Sequence, residues 1–293
     1  MPTPYRRNAR TPAGRISATP STANWGGLRG LLSQYPGAAG AYSLRKIGSE
    51  PVVKLRRASN SDEKDFTASE LTDGTAETWA SSGDAFVRYW YDQSGSGKHA
   101  GQSTHDAQPK LISSGSIINE NGKPAMMFDG VDDYLESVDS DLVTGNSAYT
   151  VIWVSKSNTI INNDYYFGIN AENLGSGAGK SVAMTPEIAV RVSGNCIFSD
   201  SASGSQELLT LSYDGTTIQN HSLHIDGASS AVDRTANGTD PMNIHAGDFR
   251  IGGWGTGGQV LNGTMQEIIV YDSDQSANRV GIETNINDHY GIY

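Results

Sequence analysis

Apolar and polar positions alternate along much of the chain with the two-residue period of strands that bury one face. Ala41 to Ile47 and Val52 to Arg57 follow this pattern, and Asp65-Phe66-Thr67 is a shorter example. Phe86 to Tyr91 adds an aromatic strand, which Asp92-Gln93-Ser94-Gly95-Ser96-Gly97 turns sharply. Denser runs rich in branched and aromatic residues predict further strands at Tyr149–Ser155, Glu187–Val192, Leu208–Tyr213, His221–Gly227, Phe249–Gly253 and Gly263–Tyr271. Helical spacing is confined to two places. Leu28, Leu31 and Leu32 predict a turn or two, broken by Gly37-Ala38-Ala39-Gly40. Val280, Ile282, Ile286 and Tyr290 predict a helix over about 276–290, capped by Asp274 or Ser276. Many short strands with Gly/Asn/Asp turns and no fixed repeat predict an all-β jelly-roll sandwich with a short C-terminal helix.

Charge then divides the chain. No acidic residue precedes Glu50, whereas Arg6, Arg7, Arg10, Arg15, Arg29, Arg45 and Lys46 do. The whole chain nevertheless has 32 acidic against 21 basic residues. The expected organisation is a basic, Pro-punctuated arm and short helix over 1–40, used for docking, and a sandwich over 41–293. Arg6, Arg7, Arg10, Arg15 and Trp25 are its assembly residues. An acidic body argues against nucleic acid as a partner. No apolar run approaches the ~20 residues of a membrane span, and the N-terminus lacks the apolar core of a secretory signal. Cys196 is the single cysteine, so no internal disulfide is expected.

Phe128-Asp129-Gly130-Val131-Asp132-Asp133-Tyr134-Leu135 resembles a strand of concanavalin A-like (laminin-G-like) domains. Leu223 to Gly227 and Gly263 to Asp272 resemble two later strands of that fold. More narrowly, Ala41-Tyr42-Ser43-Leu44-Arg45 and Tyr91-Asp92-Gln93-Ser94-Gly95-Ser96-Gly97 resemble the arabinofuranosidase B catalytic-domain family, itself such a sandwich. The resemblance implies a retaining glycosidase, which needs two carboxylates about 5–5.5 Å apart. In the family an Asp follows a Gly-Gly strand end as acid/base, and here Gly252-Gly253 is followed by Trp254. The family's nucleophilic Glu aligns with Val190 to Asn195, where no carboxylate stands. The family's adjacent cysteine pair is also missing.

The resemblance therefore implies a catalytically degenerate sandwich, similar to those of tailed-phage virion proteins. The expected function is a non-enzymatic virion component: a capsid decoration protein, head fibre or tail-associated adhesin. It docks through its arm to other virion proteins and copies of itself, and displays a lectin-like surface to host polysaccharide. An arabinofuranosidase-like hydrolase with relocated carboxylates and a free lectin are the alternatives. Trp254, Tyr165, Tyr166 and Asn195 are the candidate sugar-binding residues, on the expectation that these aromatics stand exposed at loop tips. No metal centre or cofactor is assigned, although Asp129, Asp132 and Asp133 offer the oxygen ligands that calcium takes. Gly175 to Ser181 lacks the spacing of a phosphate loop. His221 and His224, three apart on a strand, point to opposite faces.

Overall fold

The computed structural model describes residues 30–159, 165–170, 182–184, 190–192, 195–196, 203–229, 241–253 and 260–293. The first elements are α1 (Leu31–Gln34), β1 (Ala38–Ser43), β2 (Val53–Arg57), β3 (Glu63–Phe66), α2 (Thr75–Ala80), β4 (Ala85–Trp90), β5 (Ala100–Gly101) and β6 (Lys110–Ser113). Next come β7 (Ser116–Ile117), β8 (Asn119–Glu120), β9 (Lys123–Pro124), β10 (Met126–Asp129), β11 (Leu135–Ser137), β12 (Tyr149–Ser157) and β13 (Phe167–Ile169). The remainder are β14 (Val182–Met184), β15 (Val190–Val192), β16 (Asn195–Cys196), β17 (Gln206–Tyr213), β18 (His221–Ile225), β19 (Ala228–Ser229), β20 (Phe249–Ile251), β21 (Asn262–Tyr271) and α3 (Arg279–Tyr290).

β21 is the hub of one sheet. It pairs antiparallel with β12 along its length, and the ladder continues to β17, β18 and β19. Its other edge meets β10 in the first half and β1 in the second. A second sheet runs β3–β2–β4–β5–β11–β20–β13–β14–β15–β16, also antiparallel. β6 joins the layers, pairing with β4 and with Met127 of β10. The result is the expected β-sandwich. Pairing already begins at Ala38, so the anticipated boundary at 40 falls inside β1.

Burial follows the strand period. Val151, Trp153, Leu209, Leu211, Ile268 and Val270 enter the core between the sheets. Their neighbours Ile152, Val154, Leu208, Ile269 and Tyr271 join a second cluster with Ile282, Ile286 and Tyr290 of α3. The β21 sheet is therefore apolar on both faces, which explains its dense hydrophobic runs. We call it the covered sheet. α3 starts at Arg279, and no side chain caps its Asn278 N-cap. Asp274 instead accepts from Ser276 N–H in the preceding turn, and Val280 is exposed.

The aspartate-rich Phe128–Leu135 stretch is a corner, not one strand. It leaves the covered sheet at β10 and enters the second sheet at β11. Gly130 adopts φ +78°, and a Cβ there would lie 2.7 Å from Asn262 Cβ, so a glycine is required.

The turn after β4 locks the two layers. Asp92 is buried and accepts from Ala41 N–H and Ser94 N–H at 2.9 Å and from Ser96 Oγ at 2.8 Å. Burial alone raises a carboxyl pKa, but these donors outweigh it and leave Asp92 below its ordinary value. Gln93 accepts from Ile47 and Gly48 N–H and donates to the Ser43 and Arg45 carbonyls. Asp92 is thus a structural cap, as its turn position implied.

Candidate functional site: a cleft on the open sheet

Among the described residues no helix covers the second sheet over β2, β4, β5 and β11, and we call it the open sheet. Cross-strand pairing aligns one row of residues across it. Asp65, Lys54, Tyr89, Gly101, Glu136, Arg250 and Gly168 follow one another from β3 to β13. Directly paired residues share a face. The row opposes the core, because Trp90, Leu135, Phe249 and Ile251 beside it are buried inside.

A cleft of about 580 Å³ lies over this row. Arg88 and Tyr89 form one wall, Tyr134 and Glu136 the other, and Gly101 lies between them. The glycine is essential to the shape: a Cβ at 101 would meet the Tyr89 ring at 2.5 Å. Above that ring, the Arg88 guanidinium lies 4.3 Å from its centroid. Tyr91 continues the aromatic surface, its ring 15° from the plane of Tyr89 and 6.2 Å away. Its hydroxyl donates to Asp65 at 2.6 Å, and His99 meets it edge-on at 4.9 Å. Across the cleft, the Arg250 guanidinium lies 5.0 Å from the Tyr134 centroid and is ion-paired with Glu136.

The remaining lining is rich in hydroxyls and amides, including Gln102, Ser103, Thr104 and Ser140. Ser140 is buried, yet its hydroxyl has no partner among the described residues. Charges in and around the cleft balance. Arg250 pairs with Glu136, Arg88 lies 3.6 Å from Glu63, and Lys98 and Asp139, of opposite charge, both line the cleft. Aromatic rings, open hydroxyls and self-compensated charge suit a neutral, hydroxyl-rich ligand.

Two carboxylates line the cleft, those of Glu136 and Asp139. The Glu136 carboxylate is taken up by Arg250, and Asp139 is exposed at the rim. Of the positions that the arabinofuranosidase resemblance singled out, Gly252 and Gly253 follow β20, and Gly253 bridges Val260. Val190–Val192 lies three strands further along the open sheet, through β13 and β14.

The expected sugar-binding aromatics require correction. Tyr165 and Tyr166 are buried, at 5% and 0% exposure. Tyr166 leads into β13 and fills the inter-sheet core, 5.8 Å from Trp153, so it cannot present a ring to solvent. Trp254, the side chain of Asn195, and the arm residues Arg6, Arg7, Arg10, Arg15 and Trp25 lie outside the described residues. Tyr89, Tyr91 and Tyr134 instead supply the accessible rings. Outward polar positions flanked by buried ones, as in Leu135-Glu136-Ser137 and Phe249-Arg250-Ile251, are the sequence signal that marks this face.

At the corner beside Tyr134, oxygens of Asp129, Asp132 and Asp133 lie within 4.8 Å of one another. Asp133 is buried, and its Oδ2 accepts from Asp129 N–H at 2.9 Å. Burial first, then the charges of Asp129 and Asp132, push its pKa up to about 7. A divalent cation would relieve both effects, and calcium would draw on these three carboxylates with water completing its ~6–8 oxygens. His221 and His224 do separate to opposite faces: His221 is buried against Tyr149 and Tyr213, and His224 is partly exposed.

No protein-family model matches the chain, and no curated protein matches it. Solved structures do. A GH54 α-L-arabinofuranosidase soaked with a cyclic sulfate inhibitor superposes with a TM-score of 0.63 at 16% identity. An arabinofuranosidase complexed with arabinofuranosyl-α-1,2-xylobiose gives 0.64 at 17%. A GH54 mutant soaked with 4-nitrophenyl α-L-arabinofuranoside gives 0.66 at 16%. Each match covers 87% of this chain and 64% of the other, so this chain spans under two thirds of those proteins. At such identity the likeness establishes the sandwich fold shared with these glycoside hydrolases, and the site must speak for the chemistry.

Proposed function

We propose that this chain is a non-enzymatic, lectin-like β-sandwich that binds a neutral glycan in the Tyr89–Tyr134 cleft. We further propose that a tailed-phage virion displays it. In this reading the arm docks onto other virion proteins and neighbouring copies, and the open sheet faces host polysaccharide. The observation that carries glycan binding is the cleft itself, with two aromatic walls over Gly101 and the Arg250 charge already paired with Glu136. The arm's charge supports docking: residues 1–40 hold five basic and no acidic residues in an otherwise acidic chain.

Two experiments test the two halves. Titration calorimetry against arabino-oligosaccharides and host-surface polysaccharides should give saturable binding without release of reducing ends. Turnover that one carboxylate substitution abolishes would establish a hydrolase instead. Deleting residues 1–24 should abolish incorporation into particles while leaving the sandwich folded. Unchanged incorporation would remove the docking role and leave a free lectin.

A further inference from the structure

A second cavity, of about 480 Å³, opens where the segment after β1, the turn after β3, the β8–β9 hairpin and the last turn of α3 meet. Arg45, Lys46, Lys123 and His289 line it, and no acidic side chain does. That composition runs against a chain in which acidic residues outnumber basic ones by 32 to 21.

The four groups differ in freedom. Arg45 is fixed: Nε and Nη2 donate to Glu267 at 2.7 and 3.0 Å, and Nη1 donates to Asn285 at 3.0 Å. Lys46 reaches Glu50 at 2.9 Å in an exposed pair, which costs little to open. Lys123 takes part in none of the ion pairs among the described residues. The imidazole of His289 stands edge-on to Tyr290, 4.6 Å between centroids. Burial, then Arg45, push its pKa down to about 4. Lys123 adds to the fall, and Glu267 opposes it. The recess therefore resists additional positive charge, as an unfilled anion site does.

We propose that this cavity binds a small oxyanion, the carboxylate or phosphate-type group of a ligand, with Lys123 as its principal cation. Lys46, released from Glu50, is the second donor, and the backbone-anchored turn carrying Ser69 and Thr72 closes the far wall. The bound negative charge stands beside His289 and favours its protonated form. By linkage, binding tightens as the pH falls toward the imidazole's titration range.

Sulfate, inorganic phosphate and glucuronate, titrated at low ionic strength, test the site on the full chain. The His289 ring resonances and the dissociation constant are the readouts. Expected are a saturable shift, an upward move of the His289 midpoint by about one unit, and binding about tenfold weaker in Lys123→Gln. Lys123→Arg should restore binding, which separates charge from packing. Tighter glucuronate would identify an acidic sugar as the ligand, and tighter phosphate a phosphorylated group. Equal titration of wild type and Lys123→Gln, or an unmoved His289, would overturn the proposal. The glycan cleft shares none of these residues, so its failure and this one are distinguishable.

Discussion

The two outward faces of the sandwich have opposite fates. On the covered sheet, Ile152, Val154, Leu208 and Ile269 meet Ile282 and Ile286 of α3, and a charge cluster lies beside that layer, where Arg45 lines the second cavity. Glu267 there is fully buried and takes Arg45, Ser43 Oγ and Tyr290 Oη as donors. On the open sheet no corresponding layer stands above β4, β5 and β11 among the described residues, and the outward row carries Tyr89, Glu136 and Arg250. Its charged groups are paired and its aromatic rings remain accessible. One face therefore spends its surface on stability, and the other keeps it available for a ligand.

Substitutions on the covered face should cost stability without touching binding. Glu267→Ala strands the partly buried Arg45 guanidinium and removes the acceptor of Ser43 and Tyr290, and should destabilise by about 3 kcal/mol, measured by urea unfolding. Ile286→Ala should cost about 2–5 kcal/mol through lost burial and a residual cavity. Glycan affinity of the folded fraction should be unchanged in both. Loss of affinity in Ile286→Ala would break the division between the faces.

The open face should behave conversely. Tyr89→Ala should weaken glycan binding about tenfold or more, near 1.4 kcal/mol, with a smaller change in unfolding free energy. Gly101→Ala should act in the same direction, because its methyl displaces the Tyr89 ring. Binding that survives both substitutions would place the site elsewhere.

The smallest expected effect lies at the corner between the sheets. The folded pKa of Asp133, about 7, lies above its ordinary 3.8. Its contribution to stability is thus complete below about pH 4 and is lost as the pH rises through 7. Asp133→Asn should stabilise the protein more at pH 8 than at pH 5, the gain growing between about pH 4 and 7. Calcium should raise the melting temperature of the wild type at pH 8 and leave the variant unmoved. A calcium response in both would remove the carboxylate cluster as its cause.

The covered face was largely readable in the sequence. Tyr149–Val154 and Ile268–Tyr271 are nearly continuous apolar runs because both their faces are buried, and Ile282, Ile286 and Tyr290 mark the stripe that covers them. The cleft was not. Its walls come from residues 88–89 and 134–136, and only strand register brings them around Gly101. A bulge in β4 between Val87 and Tyr89 also breaks the alternation that would have flagged the outward tyrosine. Tyr165 and Tyr166 looked like loop-tip aromatics, but both are buried, Tyr166 against Trp153 in the core between the sheets. Asp92, by contrast, was recognisable as a turn cap from its Asp-Gln-Ser-Gly setting.

The most direct test pairs calorimetry with product analysis on the wild type and Tyr89→Ala. The account predicts saturable glycan binding by the wild type, about tenfold weaker binding by the variant, and no new reducing ends from either. Glycan cleavage by the wild type, or equal affinity in the two proteins, would contradict it.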